Sequence, residues 1–212
     1  MLDLGCGPGS LAVRVLDRIL AATVVAVDAD PLLLGLARAA HRDRAGLRLV
    51  EADLGRPGWG ADLALRETVG AAVSTTALHW LPEPQLRVAY GELAGLLRPG
   101  GILLNGDDLS VADFAPGLAE LERHLQHWAA GPRGESLDDW RAWWDGVTED
   151  PALAELVARC GDGPAAAHRD AESAQLSAHE RALRAAGFAE VGTLWQHGGN
   201  RLVCAITGAR VV

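Results

Sequence analysis

Three carboxylates stand where a small ligand could meet them. Asp3 closes a short apolar run and leads into Leu4-Gly5-Cys6-Gly7-Pro8-Gly9-Ser10. Asp28 ends the run Thr23-Val24-Val25-Ala26-Val27, and Asp53 follows Leu47 to Val50 through Glu51 and Ala52. A glycine-rich turn between a strand and a helix lets a ligand lie against bare backbone, with the helix N-terminus beyond it. A carboxylate after the second strand can accept from both hydroxyls of a ribose. An acid after the third suits the exocyclic amine of an adenine. Asp3, two residues before the first glycine, would repel a pyrophosphate and suits an amino group. Ser10 stands where a dinucleotide fingerprint carries glycine or alanine, and no basic clamp for phosphates is evident. The set therefore fits a nucleoside bearing an amino acid and a sulfonium better than a nicotinamide or flavin dinucleotide. An NAD(P)-dependent oxidoreductase is the weaker enzyme reading.

Strands and helices alternate around these acids. Leu11 to Leu20 has apolar residues at helical spacing, with Ser10 as the expected N-cap. Asp30-Pro31 opens a second helix that should run to about Arg42. A weak helix is expected near Ala61 to Thr68 and a fourth strand over Ala71 to Thr75. A helix from about Pro84 should stop at Arg98-Pro99-Gly100-Gly101, with a fifth strand from Ile102 to Asp107. This alternation predicts an α/β fold on a parallel sheet. Residues 108–172 break the rhythm and read as helices only. Ser173 to Ala186 reads as a helix, and two strands around His197-Gly198-Gly199-Asn200 predict an antiparallel edge. The whole chain reads as one domain with a helical insertion at 108–172 between strands five and six. Met1 to Leu4 is short for a central strand, so a start upstream of Met1 is expected.

Composition narrows the class. The net charge of −9 argues against a nucleic-acid surface, which needs a basic face. No apolar run approaches the length of a membrane span. Cys6, Cys160 and Cys204 form no C-x-x-C pair, which predicts reduced thiols in a cytoplasm and no zinc or other metal site.

The ordered motifs resemble those of class I S-adenosylmethionine-dependent methyltransferases, in particular the small-molecule methyltransferase-domain family. Leu2-Asp3-Leu4-Gly5-Cys6-Gly7-Pro8-Gly9 is similar to motif I, Asp28 to the acid after strand two, and Glu51-Ala52-Asp53-Leu54 to the adenine-contacting segment. Ala77-Leu78-His79-Trp80-Leu81, Leu97-Arg98-Pro99-Gly100-Gly101 and Ala185-Ala186-Gly187-Phe188 match later segments. The resemblance implies a Rossmann-like, seven-stranded, mostly parallel sheet with an antiparallel last strand and helices on both faces. It implies S-adenosyl-L-methionine held by Asp3, Gly5, Cys6, Gly7, Asp28, Ala29, Asp53, Leu54, Thr75 and Thr76. Cys6 is expected as a small packing residue. The helices that normally precede motif I in the family, and help cover the cofactor, are missing here. A nucleobase amino-methyltransferase would be expected to show Asn/Asp-Pro-Pro-aromatic after strand four, where this chain has Ser74-Thr75-Thr76-Ala77.

The acceptor side is less determined. His79 follows strand four and could act as a general base for a hydroxyl acceptor, or serve only in packing. Trp140, Trp143 and Trp144 share one helix face and could pack that helix onto the domain or wall an apolar acceptor. Trp80 and His168 are further candidates for acceptor contact, and His124 and His127 read as surface histidines. The expected function is methyl transfer to a small molecule, with no nucleic acid or membrane partner. A cofactor-binding but inactive partner subunit is the reading from another class.

Overall fold

The computed structural model describes residues 1–130, 137–160 and 174–208. In chain order these give β1 (Leu2–Leu4), α1 (Ser10–Arg18), β2 (Val24–Asp28), α2 (Pro31–Ala40), β3 (Leu47–Glu51), α3 (Trp59–Asp62), β4 (Val69–Thr75), α4 (Glu83–Leu96) and β5 (Leu97–Asp108). Then follow α5 (Pro116–Ala130), α6 (Leu137–Glu149), α7 (Ala154–Arg159), α8 (Leu176–Ala185), β6 (Phe188–His197) and β7 (Asn200–Thr207). Short 3-10 turns lie at Leu78–Trp80 and Pro151–Leu153.

The seven strands form one sheet in the order β3-β2-β1-β4-β5-β7-β6. β1 to β5 run parallel, and β7 enters antiparallel between β5 and β6. The order reverses at β1 and β4, the two strands whose carboxyl ends flank the glycine turn. In open sheets of this kind ligands bind there.

Alternation along the strands explains the two faces. Val24 and Ala26 of β2 meet Ala12 and Leu16 of α1 and Leu34 of α2. On the other face Leu2, Leu4, Val27 and Leu103 meet Leu86, Tyr90 and Leu93 of α4 and Leu183 of α8. Asp3 sits between Leu2 and Leu4, so strand geometry sends its carboxylate to the α1 face, where it is 1% exposed.

Several boundaries differ from the sequence reading. Ser10 is the first helical residue and not the N-cap; Gly9 takes that position with φ +86°, and no side chain caps the helix. The glycine needs that left-handed backbone because the chain turns directly from the loop into α1. α1 ends at Arg18, leaving Ile19 and Leu20 largely exposed. The weak helix is the single turn Trp59–Asp62, held by Glu92, which accepts from the Gly58 and Gly60 amides. Strand four begins at Val69, and Arg98-Pro99-Gly100-Gly101 lies within β5 as a bulge: the register with β4 shifts between the Val69–Leu97 and Ala71–Ile102 pairs. Asp30 caps α2 as expected, accepting from the Leu32 and Leu33 amides. Between β5 and α8 the described residues are helices and turns, with one isolated bridge from Ser110 to Gln175. The final hairpin turns tightly at Gly198-Gly199.

Candidate functional site

The glycine turn is built by two close approaches. Gly5 has φ +66°, and a Cβ there would stand 2.3 Å from the Cβ of Ala77 in the segment after β4. Only glycine lets these two loops meet. The Cys6 amide donates to the carbonyl of Val27 (2.9 Å), tying the turn to the end of β2. The Gly7 amide then donates to Asp28 Oδ2 (2.7 Å), and the Asp30 amide donates to Asp28 Oδ1 (2.9 Å). Each Asp28 oxygen thus has one backbone partner and a spare lone pair, the valence needed for a ligand diol. Burial raises the pKa of Asp28, opposed by these amide bonds.

Asp3 is more strained electrostatically. Its Oδ2 is buried and has no hydrogen-bond partner. Burial pushes its pKa up to about 7, the Ala12 amide pulls it down, and the Asp28 charge adds to the rise. A buried, unpartnered carboxylate oxygen is costly unless something pairs with it. An ammonium group would do so. Burial, with Asp28 and Asp3 adding, also pushes the Cys6 thiol well above its ordinary value, which disfavours the thiolate.

Asp3 and Asp28 open into a cavity of about 900 Å³. Gly5, Cys6, Gly7, Ala29, Asp53, Leu54, Thr75 and Thr76 line it with them, so every residue expected at the cofactor lies on one surface. His79, Trp80, Trp143 and Trp144 line the same cavity. His168 lies outside the described residues, as does the side chain of Trp140. His124 and His127, on α5, do not line the cavity. Among the described residues no cluster of ligating side chains could hold a metal ion.

His79 is held by a residue that sequence reasoning missed. Asp107, on β5, has a fully buried side chain. Its Oδ1 accepts from His79 Nδ1 (2.7 Å) and its Oδ2 from the His79 backbone amide (3.1 Å). A carboxylate oxygen accepting at this distance favours the tautomer with the ring proton on Nδ1, which leaves Nε2 as the ring nitrogen not engaged by Asp107. The imidazole is 22% exposed and stacks obliquely on Trp80, with ring centroids 4.3 Å apart. Behind it, the Tyr90 hydroxyl and His179 Nδ1 pair at 2.7 Å inside the core. Burial pushes the His179 pKa down to about 4 and raises that of Tyr90.

The cavity also holds one cation that sequence reasoning did not single out. Arg159 and Cys160, at the end of α7, line it too. No local pattern marks them, because Arg159 reaches its partner Glu51 across 108 positions of chain.

Comparison with known proteins agrees with this geometry. Residues 1–101 match the family described as a methyltransferase domain. An uncharacterized methyltransferase of Mycobacterium tuberculosis is 36% identical over 134 residues, covering 61% of this chain and 58% of that protein. Trans-aconitate 2-methyltransferase of Methylobacterium radiotolerans is 30% identical over 160 residues, 74% of this chain and 50% of that one. The chain thus spans less than two thirds of the length of either relative. An O-methyltransferase family protein from Burkholderia thailandensis superposes with a TM-score of 0.61 at 19% identity, over 99% of this chain and 51% of that one, which shows a shared fold. Residues 1–101 thus match the methyltransferase-domain family, and the sheet as a whole shares the fold of the solved methyltransferase.

Proposed function

We propose that the chain binds S-adenosylmethionine and transfers its methyl group to a small-molecule acceptor. One observation carries this reading: the ten residues expected at the cofactor line a single cavity, with the unpartnered Asp3 oxygen among them. The donor set fits the group. Asp28 would take the ribose hydroxyls, Asp53 the adenine amine and Asp3 the amino group. The cofactor supplies a methyl already activated on a sulfonium, so the protein's contribution is alignment and exclusion of water. Trp80, Trp143 and Trp144 would wall the acceptor. His79 would accept the proton of a hydroxyl acceptor at Nε2, with Asp107 fixing the tautomer. In this reading the chain works as one domain, with 108–172 forming much of the acceptor side. No helix among the described residues is long and apolar enough to cross a membrane. We infer a cytoplasmic enzyme from that and from its unpaired thiols.

Calorimetry with S-adenosylhomocysteine and with NAD tests the core of the reading. The chain is expected to bind the first and not the second, and Asp28→Ala to abolish the binding. Tight NAD binding, or unchanged affinity in Asp28→Ala, would refute it. Transfer of labelled methyl from the cofactor into a metabolite extract then distinguishes an enzyme from an inactive subunit.

A further inference from the structure

The segment that leaves β5 does not stay on that half of the sheet. Helix α7 reaches across to the ends of β2 and β3, and three contacts hold it there. Leu156 fills a recess over Gly35 of α2: a Cβ on Gly35 would stand 2.3 Å from Leu156 Cδ1. Arg159 Nη2 donates to both oxygens of Glu51, at 3.0 and 3.2 Å, on the last residue of β3. Cys160 Sγ donates to Asp30 Oδ1 (3.3 Å), the carboxylate that caps α2. The Arg159–Glu51 pair is about half exposed on both sides, and such pairs contribute only about 0–1 kcal/mol. The leucine in its glycine recess is the firmer anchor.

These contacts put Arg159 at a particular place. Glu51 is the register partner of Asp28, and Asp53 lies two residues beyond it. Arg159 lines the cavity together with Asp28, Asp30 and Asp53, and among the described residues it is the one Lys or Arg side chain that does so. A guanidinium is planar, weakly hydrated and able to stack on a flat ring while its edge donates hydrogen bonds. Glu51 occupies one edge and leaves the face available.

Resting on the methyltransferase reading above, we propose that α7 is the nucleoside-side wall of the cofactor site and that Arg159 is a binding residue for the adenosine half. The insertion after β5 is then more than an acceptor lid.

The test uses the full chain and binding alone. Calorimetry with S-adenosylhomocysteine and with adenosine should show Arg159→Met weakening both, by a similar factor of roughly three to ten. Gly35→Ala should weaken S-adenosylhomocysteine to a like extent, because its methyl takes the space of Leu156. Alanine's preference for a helix over glycine, about 1 kcal/mol, offsets part of the packing lost with Leu156, and a cooperative thermal transition in the ligand-free variant shows that lost binding there is not lost folding. Wild-type affinity in Arg159→Met overturns the assignment of Arg159. Wild-type affinity in Gly35→Ala overturns α7 as the wall. In either case a loss of binding in Asp28→Ala leaves the methyltransferase reading standing. A wild-type chain that binds NAD and not S-adenosylhomocysteine removes both.

Discussion

Two buried groups shift in opposite directions, and their pH effects oppose each other. Asp3 has its folded pKa raised to about 7, far above an ordinary carboxyl near 4. The folded state therefore holds a proton that the unfolded state releases, so stability falls as pH rises from about 4 to about 7. His179 has its folded pKa lowered to about 4 from an ordinary value near 6.5. Here the unfolded state takes the extra proton, so stability rises with pH over about 4 to 6.5. Each shift corresponds to a few kcal/mol at about 1.4 kcal/mol per unit. The wild type should thus show a nearly flat thermal midpoint from pH 4 to 6.5. Asp3→Asn should remove one side, giving a midpoint that climbs over this range and exceeds the wild type at pH 8. An equally flat profile in Asp3→Asn would show that Asp3 is not the raised group. The same carboxylate links binding to pH: an ammonium beside it favours its ionised form, so S-adenosylhomocysteine should bind more tightly as pH rises from 6 to 8 and lose that dependence in Asp3→Asn. His79 separates cleanly from this pair. His79→Ala should lower kcat on a hydroxyl acceptor by roughly 10²-fold or more without changing S-adenosylhomocysteine affinity. Asp107→Asn should lower kcat as well, because an amide can donate to Nδ1 and move the ring proton onto Nε2. Full turnover in His79→Ala would leave the histidine a packing residue.

At the scale of elements, the site depends on two loops that meet without a side chain between them. Gly5→Ala forces a Cβ into Ala77 and also imposes a left-handed φ on an L-residue. Loss of several kcal/mol in denaturant unfolding is expected, and of S-adenosylhomocysteine binding with it. Adding Ala77→Gly should restore part of the stability and not all, since the clash is relieved and the backbone strain is not. Full recovery would show that space alone requires the glycine. The glycines of this turn, Asp28 and Asp53 were legible in the sequence because each follows a β-branched or apolar run, a local pattern. The alternation that gave the α/β sheet and its antiparallel edge was local too. What the sequence hid is non-local. Asp107 reads as the tail of a strand until β5 is laid beside β4 and its carboxylate reaches His79. Gly35 has no local signal within α2, because the side chain that takes its gap, Leu156, lies more than 100 residues later. The boundaries of β5 were misread because Pro99-Gly100-Gly101 is a strong local stop that tertiary pairing with β4 overrides as a bulge.

Across the whole molecule, one length of chain touches both parts of the cavity. Trp143 and Trp144 stand on α6, their rings edge-to-face with centroids 5.0 Å apart. Arg159 and Cys160 stand at the end of α7, and α6 and α7 contact one another. Trp144 is buried at 7% exposure, whereas Trp143 is 44% exposed. A ligand that settles α7 onto α2 should therefore also settle α6, and the acceptor wall would be completed after the cofactor arrives. Such coupling is reciprocal and appears as protection in regions the ligand does not touch. Hydrogen exchange with saturating S-adenosylhomocysteine should slow amides in 154–160 and also in 142–149. In Gly35→Ala, saturated with the same ligand, protection of 142–149 should be reduced even though the Asp28 end remains filled. Slowing confined to 154–160 in the wild type would mean that the two helices move independently. The tryptophans would then be a fixed wall that owes nothing to the cofactor.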